Sequence, residues 1–205
     1  MNGNSAQTGT GVLRANGTFT IAGTNTLDLR AGALVHDYTG PSSLNDLRAK
    51  IVNGYNNNTW TGTGLSSSTA AADDNLAIGY ADASALFSTF PTAFMGEAID
   101  NTTVLVRLVR NGDANLDGTV NLGDFNRLAS SFGSTSALWD DGDFNYDGIV
   151  NLADFNLLAA NFGLSAAGSS VTPGEWSALG SAVPEPAGLG VVLGCGFVSA
   201  RRRRR

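Results

Sequence analysis

Residues 112–126 read GDANLDGTVNLGDFN, and residues 142–156 read GDFNYDGIVNLADFN. Extended to Gly133 and Gly163, the two copies agree at fifteen of twenty-two positions. The shared residues are Asp, Asn, Gly and a spaced set of apolar side chains, a selection that hydrophobic packing alone does not explain. A hard divalent cation such as Ca²⁺ takes six to eight oxygens at about 2.3–2.6 Å. A twelve-residue loop supplies them from side chains at positions 1, 3, 5, 9 and 12 and a carbonyl at 7. In the first copy these are Asp113, Asn115, Asp117, the carbonyl of Thr119, Asn121 and Asp124. In the second they are Asp143, Asn145, Asp147, the carbonyl of Ile149, Asn151 and Asp154. Position 6 must turn sharply and is Gly118 and Gly148, where no Cβ resists the turn. Position 8 is Val120 and Val150, apolar residues that would pin the two loops to each other.

Each loop runs into a helical pattern. Phe125, Leu128, Ala129 and Phe132 are spaced i, i+3, i+4, i+7, and Phe155, Leu158, Ala159 and Phe162 repeat the spacing. That spacing puts four apolar residues on one face, and Gly133 and Gly163 stand where a C′ glycine ends a helix. Helices this short are marginal alone, so the two units are expected to face each other, with Trp139 as an extra core residue. The competing reading is a pair of Asn/Asp-rich turns that bind nothing, since these residues are common in turns. Two loops with every ligand position filled, each entering an amphipathic helix, weigh against it. So does charge: residues 111–163 hold eight Asp and one Arg, and a bound cation would offset their repulsion.

The duplicated D-x-N-x-D-G-x-V-N-x-x-D, with a helix after each loop and none before, resembles a type I dockerin domain over about 53 of the 205 residues. Asp124 and Asp154 at position 12, rather than Glu, fit that family better than ordinary EF-hands. The resemblance implies a small all-α EF-hand-like module with two Ca²⁺ sites. In its best-known members it also implies docking onto a cohesin module in a polysaccharide-degrading assembly. The chain departs from the family where partners are met. Positions 10 and 11 are Leu122-Gly123 and Leu152-Ala153 instead of a Ser/Thr-type pair. The ligand positions are untouched by this.

The tail carries a second signal. After Val183-Pro184-Glu185-Pro186, residues 187–200 are uncharged and mainly small or apolar, and Arg201–Arg205 end the chain. A fourteen-residue helix reaches roughly 21 Å, short for a bilayer core of about 30 Å, and the arginines would stay cytoplasmic. The order Pro-Glu-Pro, apolar segment, Arg cluster resembles the PEP-CTERM sorting signal of Gram-negative bacteria. It implies export, transient membrane anchoring and removal by an exosortase, leaving the protein at the cell envelope or surface or outside the cell. Such tails normally accompany an N-terminal signal peptide, whereas MNGNSAQTGTG has neither a basic nor an apolar region. The expectation is therefore the C-terminal piece of a longer exported protein, or a misassigned start. The whole resembles, loosely, the end of large planctomycete-type surface proteins.

Residues 12–110 read as β-rich. TFTIAG and TLDLRAGALVHDY alternate apolar and polar residues, and TTVLVRLVR is a strand. The last rungs of a parallel β-helix or solenoid are one form this region could take. Ser42-Ser43 opens a helix with Leu44, Leu47, Ile51 and Tyr55 on one face and Gly54 as its stop. LAIGYADASALF fits a strand or a short helix, and residues 56–75 read as loop. The division expected is a lead-in (1–11), a β-rich domain (12–110), the repeat pair (111–163), a linker (164–182) and the tail (183–205), whose apolar part would form a C-terminal hydrophobic helix.

Little else points to chemistry. His36 is the sole histidine and Cys195 the sole cysteine, too few for a zinc site or an internal disulfide. Asp73-Asp74 sits in a Ser/Ala/Asn-rich loop and reads as turn residues. The net charge of −6 includes the five terminal arginines, so the body is strongly acidic and unsuited to nucleic acid. Three functions are compatible: a calcium-binding interaction module tethering a β-rich surface domain to a cohesin-like partner or the envelope; the remnant of a carbohydrate-active enzyme; or a calcium clip with no partner.

Overall fold

The computed structural model describes residues 11–165. The lead-in, nearly all of the expected linker, the Pro-Glu-Pro tail and its hydrophobic helix lie outside them. Among the described residues no helix is long and apolar enough to cross a membrane.

The strongest strand pattern sits at the centre. Strand β8 (Thr103–Arg110) is buried along most of its length and pairs antiparallel on both sides, with β3 (Ala33–Asp37) and with β5 (Leu76–Asp82). Strand β1 (Val12–Asn16) adds parallel to β3, giving a mixed sheet in the order β1-β3-β8-β5. Two small ribbons flank it: β2 (Thr26–Asp28) with β4 (Gly64–Ser66), parallel, and β6 (Thr92–Phe94) with β7 (Glu97–Ile99), antiparallel. The expected solenoid is thus corrected. A parallel β-helix stacks like strands in register, whereas the antiparallel pairs β3-β8 and β8-β5 close this sheet around one long central strand. TFTIAG is not a strand, and LAIGYADASALF is both things it resembled: β5, then the short helix α2 (Ala83–Leu86).

Helix α1 (Leu44–Tyr55) buries Leu44, Leu47 and Ile51, the predicted face. Its glycine has a different task. Gly54 lies inside the helix, where a Cβ would collide with the backbone carbonyl of Leu65 on β4. The helix stops instead at Asn56, in the left-handed region at φ 42°. Ser43 is the N-cap residue, but its hydroxyl bonds the His36 ring at 2.8 Å, and the Ser42 hydroxyl accepts the Leu44 N–H at 3.1 Å.

The repeat pair forms helices α3 (Leu122–Ser131) and α4 (Leu152–Asn161), each ended by its expected glycine at φ 85° and 86°. It does not stand as an all-α module, and the reason is packing. The two apolar stripes are too sparse to close a core by themselves: Leu128 and Leu158 are buried, but Ala129 is exposed and Phe132 is 57% exposed. The missing apolar contact comes from the sheet. Trp139, in a 3₁₀ turn (Trp139–Asp141), and Leu116 press onto Gly79 of β5. Tyr146 donates its hydroxyl to the Ile78 carbonyl at 2.9 Å and stacks among Tyr55, Trp60 and Tyr80. One apolar core therefore runs from the sheet into the repeat, and the described chain is a mixed α/β fold.

Gly79 is the point of closest approach. A Cβ there would lie 2.5 Å from Leu116 Cδ2 and 2.7 Å from Trp139 Nε1. Gly79→Ala is expected to cost about 1–3 kcal/mol through overpacking, read as a lower denaturation midpoint. An unchanged midpoint would show that the repeat does not press on β5.

Candidate metal centre

The two loops are near copies in three dimensions. Position 4 is a non-glycine residue in the left-handed region in both: Leu116 at φ 60° and Tyr146 at φ 62°. The glycines before the loops, Gly112 and Gly142, have φ of 107° and 108°. Each packs on the other copy's helix. A Cβ on Gly112 would lie 2.8 Å from Leu158 Cα, and one on Gly142 would lie 2.9 Å from Leu128 Cα. Position 8 ties each loop to the other copy through the backbone. Val120 and Val150 do not bond each other; each pairs with the segment leaving the other copy's helix. Val120 N–H donates to Leu164 O at 3.0 Å and Gly163 N–H to Val120 O at 2.7 Å. Val150 N–H donates to Ser134 O at 3.1 Å and Gly133 N–H to Val150 O at 2.8 Å.

Within each loop the proposed ligand residues hold one another. The Asp117 N–H donates to Asn115 Oδ1, the Asn115 side-chain amide to Asp117 Oδ2, and the Thr119 N–H to Asp117 Oδ1, all at 2.9 Å. Asn145, Asp147 and Ile149 repeat this network at 2.8–3.0 Å. Asp124 Oδ1 accepts the N–H groups of Ala114 and Asn115, while Oδ2 accepts that of Asn121. Asp154 does the same for Phe144, Asn145 and Asn151. Asn121 and Asn151 cap α3 and α4 by accepting the N–H two residues on, at 2.7 Å each. The residues at positions 1, 3, 5, 9 and 12 are thus gathered into one bonded loop in each copy, with Thr119 and Ile149 contributing their backbone.

Position 1 is different. Asp113 and Asp143 have no exposed surface. One oxygen of each, Oδ2, accepts the N–H of the position-6 glycine, at 2.9 and 3.0 Å. The other, Oδ1, is buried in both and accepts no hydrogen bond. A buried carboxylate oxygen without a partner is costly, and here the same atom is orphaned twice, at the residue that begins each ligand set. Burial, reinforced by Asp124 and Asp117, pushes the Asp113 carboxyl up to about 8. Burial pushes Asp124 to about 6 against three backbone hydrogen bonds, and Asp143 to about 6. Asp154 is raised by the same cause. Among the described residues no group of three or more His, Cys, Asp or Glu converges as a metal cluster by itself, so amide and backbone oxygens must complete any coordination shell. All-oxygen donors suit a hard cation of the Ca²⁺ class and not a zinc-like ion.

Sequence reasoning missed the groups that the α/β body brings to the loops. Arg48 on α1 places Nη2 3.5 Å from Asp143 Oδ2, while its Nε donates to the Tyr80 hydroxyl at 3.0 Å. Arg107 on β8 donates to the Leu116 carbonyl at 2.8 Å. The Trp139 indole N–H donates to the Asp113 carbonyl at 2.7 Å. No local pattern marks Arg48, which is 95 residues from its carboxylate partner in the chain. The weaker candidates are structural. His36 is buried between Gly17 O at 2.6 Å and Ser43 Oγ at 2.8 Å. Asp73 accepts the Asn75 N–H in a turn, and Asp74 accepts from the Asn58 amide.

No family model matches the chain, and neither a curated protein nor a solved structure matches it.

The raised carboxyls set a pH dependence for the metal-free protein. Their folded values lie above the ordinary unfolded range of about 3.9, so protonation favours the fold. The contribution is full below about pH 4 and is lost as pH rises through about 6 for Asp124 and Asp143 and about 8 for Asp113. In chelator the melting temperature should fall steadily from pH 5 to pH 8.5. A flat or rising profile would show that these carboxyls are not forced together by the fold.

Proposed function

We propose that the repeat pair is a dockerin-type calcium-binding interaction unit, built into an α/β body and holding one Ca²⁺ per loop. The orphaned Oδ1 of Asp113 and of Asp143 carries this reading. Each is a buried carboxyl oxygen without a hydrogen-bond partner, and each sits beside two further aspartates of its own loop. The ligand set is Asp113, Asn115, Asp117, the Thr119 carbonyl, Asn121 and Asp124 in one loop. In the other it is Asp143, Asn145, Asp147, the Ile149 carbonyl, Asn151 and Asp154. A bound cation would neutralise carboxylates that otherwise repel, and it would fix position 4, which plugs each loop onto the sheet through Leu116 or Tyr146.

The partner reading is a protein of cohesin-like type, met in the cell envelope or outside the cell. Three large apolar side chains of the repeat support it: Leu152 is 62% exposed, Phe132 57% and Ile149 42%. Leu152 is position 10 of the second loop, the place where the resembling family meets its partner. Export rests on the Pro-Glu-Pro, apolar and Arg-rich order of residues 183–205. The clip without a partner has its own support in the way both position-4 residues are buried against β5. Capture separates the two: a calcium-dependent partner lost on Leu152→Asp favours docking, and its absence favours the clip.

The first test is calcium titration of the full chain by calorimetry and by melting. Two sites are expected. At calcium a hundredfold above Kd each site should add about 2.7 kcal/mol, on the order of 5–10 °C for a chain of this size. Asp113→Ala with Asp143→Ala should abolish both binding and shift. Melting indifferent to calcium and chelator would reduce the repeat to two turns.

A further inference from the structure

The two loops carry the same residue types at positions 1, 3, 5, 9 and 12, so composition gives no reason for them to differ in affinity. Their surroundings do. At the second loop, Arg48 Nη2 lies 3.5 Å from Asp143 Oδ2 and 3.5 Å from the Tyr146 carbonyl. A Cβ on the position-6 glycine, Gly148, would lie 3.7 Å from the same nitrogen. The guanidinium is held there by the Tyr80 hydroxyl, to which its Nε donates. This is an ion pair with the first ligand of the loop, donated by α1 of the body.

The first loop has a neighbour of the same type without that pair. Arg107 donates to the Leu116 carbonyl, lies over the Phe94 ring with 5.8 Å between the guanidinium carbon and the ring centroid, and would come within 3.3 Å of a Cβ on the position-6 glycine, Gly118; its charge acts on Asp113, but among the described residues it makes no ion pair. The other cations on nearby elements are engaged elsewhere: Lys50 with Asp46 at 2.6 Å, Arg127 with Asp140 at 3.9 Å, and Arg110 with the Ser165 carbonyl at 2.8 Å and Asn161 Oδ1 at 3.3 Å. Asp143 is therefore held in an ion pair, whereas Asp113 feels the Arg107 charge without one.

We propose that the body makes the twin loops unequal. Arg48 is a tethered cation that lowers the calcium affinity of the second loop, so that the first loop fills first and the second responds only at higher calcium. The proposal rests on the calcium reading above. A divalent ion held by Asp143 would compete with the Arg48 guanidinium for one carboxylate, and like charges repel. A single charge within about 6 Å of a divalent ion changes its affinity by about tenfold even at the dielectric constant of water. Arg48 touches the ligand and not the ion, so it acts as a positioning residue.

Calcium alone is the probe, titrated calorimetrically into the decalcified full chain. Two steps of unequal affinity are expected. Asp143→Asn should remove the weaker step and Asp113→Asn the tighter one. Arg48→Gln should tighten the weaker step about tenfold and leave the tighter step unchanged, while Arg48→Lys, which keeps the charge, should retain most of the gap. Equal steps, loss of the tighter step in Asp143→Asn, or a weaker step that Arg48→Gln leaves alone or weakens further would overturn the inequality while leaving calcium binding in place. Absence of any calcium binding by the unaltered chain would overturn the calcium reading, and this inference with it. The assignment by the two aspartate variants decides the matter even if Arg48→Gln does not fold.

Discussion

Two carboxylates buried at the seam between the repeat and the sheet set the terms for the rest of the molecule. Asp113 and Asp143 have no contact with solvent, yet each offers an oxygen that the protein leaves unbonded. The seam is tight because the position-4 residues Leu116 and Tyr146 reach past the loops into the sheet, and Trp139 closes it by bonding the Asp113 carbonyl. Burial of this kind strengthens every nearby charge interaction. The same packing that stabilises the fold therefore leaves two buried carboxyl oxygens without a hydrogen-bond partner.

The duplication is exact in backbone and inexact in environment. Gly112 and Gly142 approach the opposite helices at nearly equal distance, and the Asn caps and terminal glycines match within a few degrees. Side chains break the equivalence. Phe162 is buried where Phe132 is largely exposed, and Leu122 is half-buried where Leu152 is largely exposed. Each copy thus exposes one apolar side chain that its twin covers.

The body is more than a platform. Two arginines from separate elements, Arg48 on α1 and Arg107 on β8, each bond the carbonyl of a position-4 residue. Their different reach toward the position-1 carboxylates gives near-identical loops different electrostatic settings. Copying a repeat produces equal loops; docking them on an asymmetric sheet gives them different surroundings.

Local chemistry was legible in the residue order. The apolar face of α1, the strand β8, the helices that follow the two loops and their terminal glycines follow from spacing, because each depends on residues within about a dozen positions of one another. Gly54 misled for a physical reason: glycine marks a helix end or a close approach equally well, and only Leu65 on β4 decides which. The all-α module and the solenoid failed for a longer-range reason. Whether two short helices close their own core depends on what else covers Leu116, Trp139 and Tyr146, and the covering strand lies in another part of the chain. The sequence by itself determined two twelve-residue oxygen-rich loops, each leading into a helix. Only the tertiary structure decided that a mixed sheet buries their first aspartates and sets Arg48 against one of them, because burial and ion pairing across 95 residues arise from packing and leave no local trace.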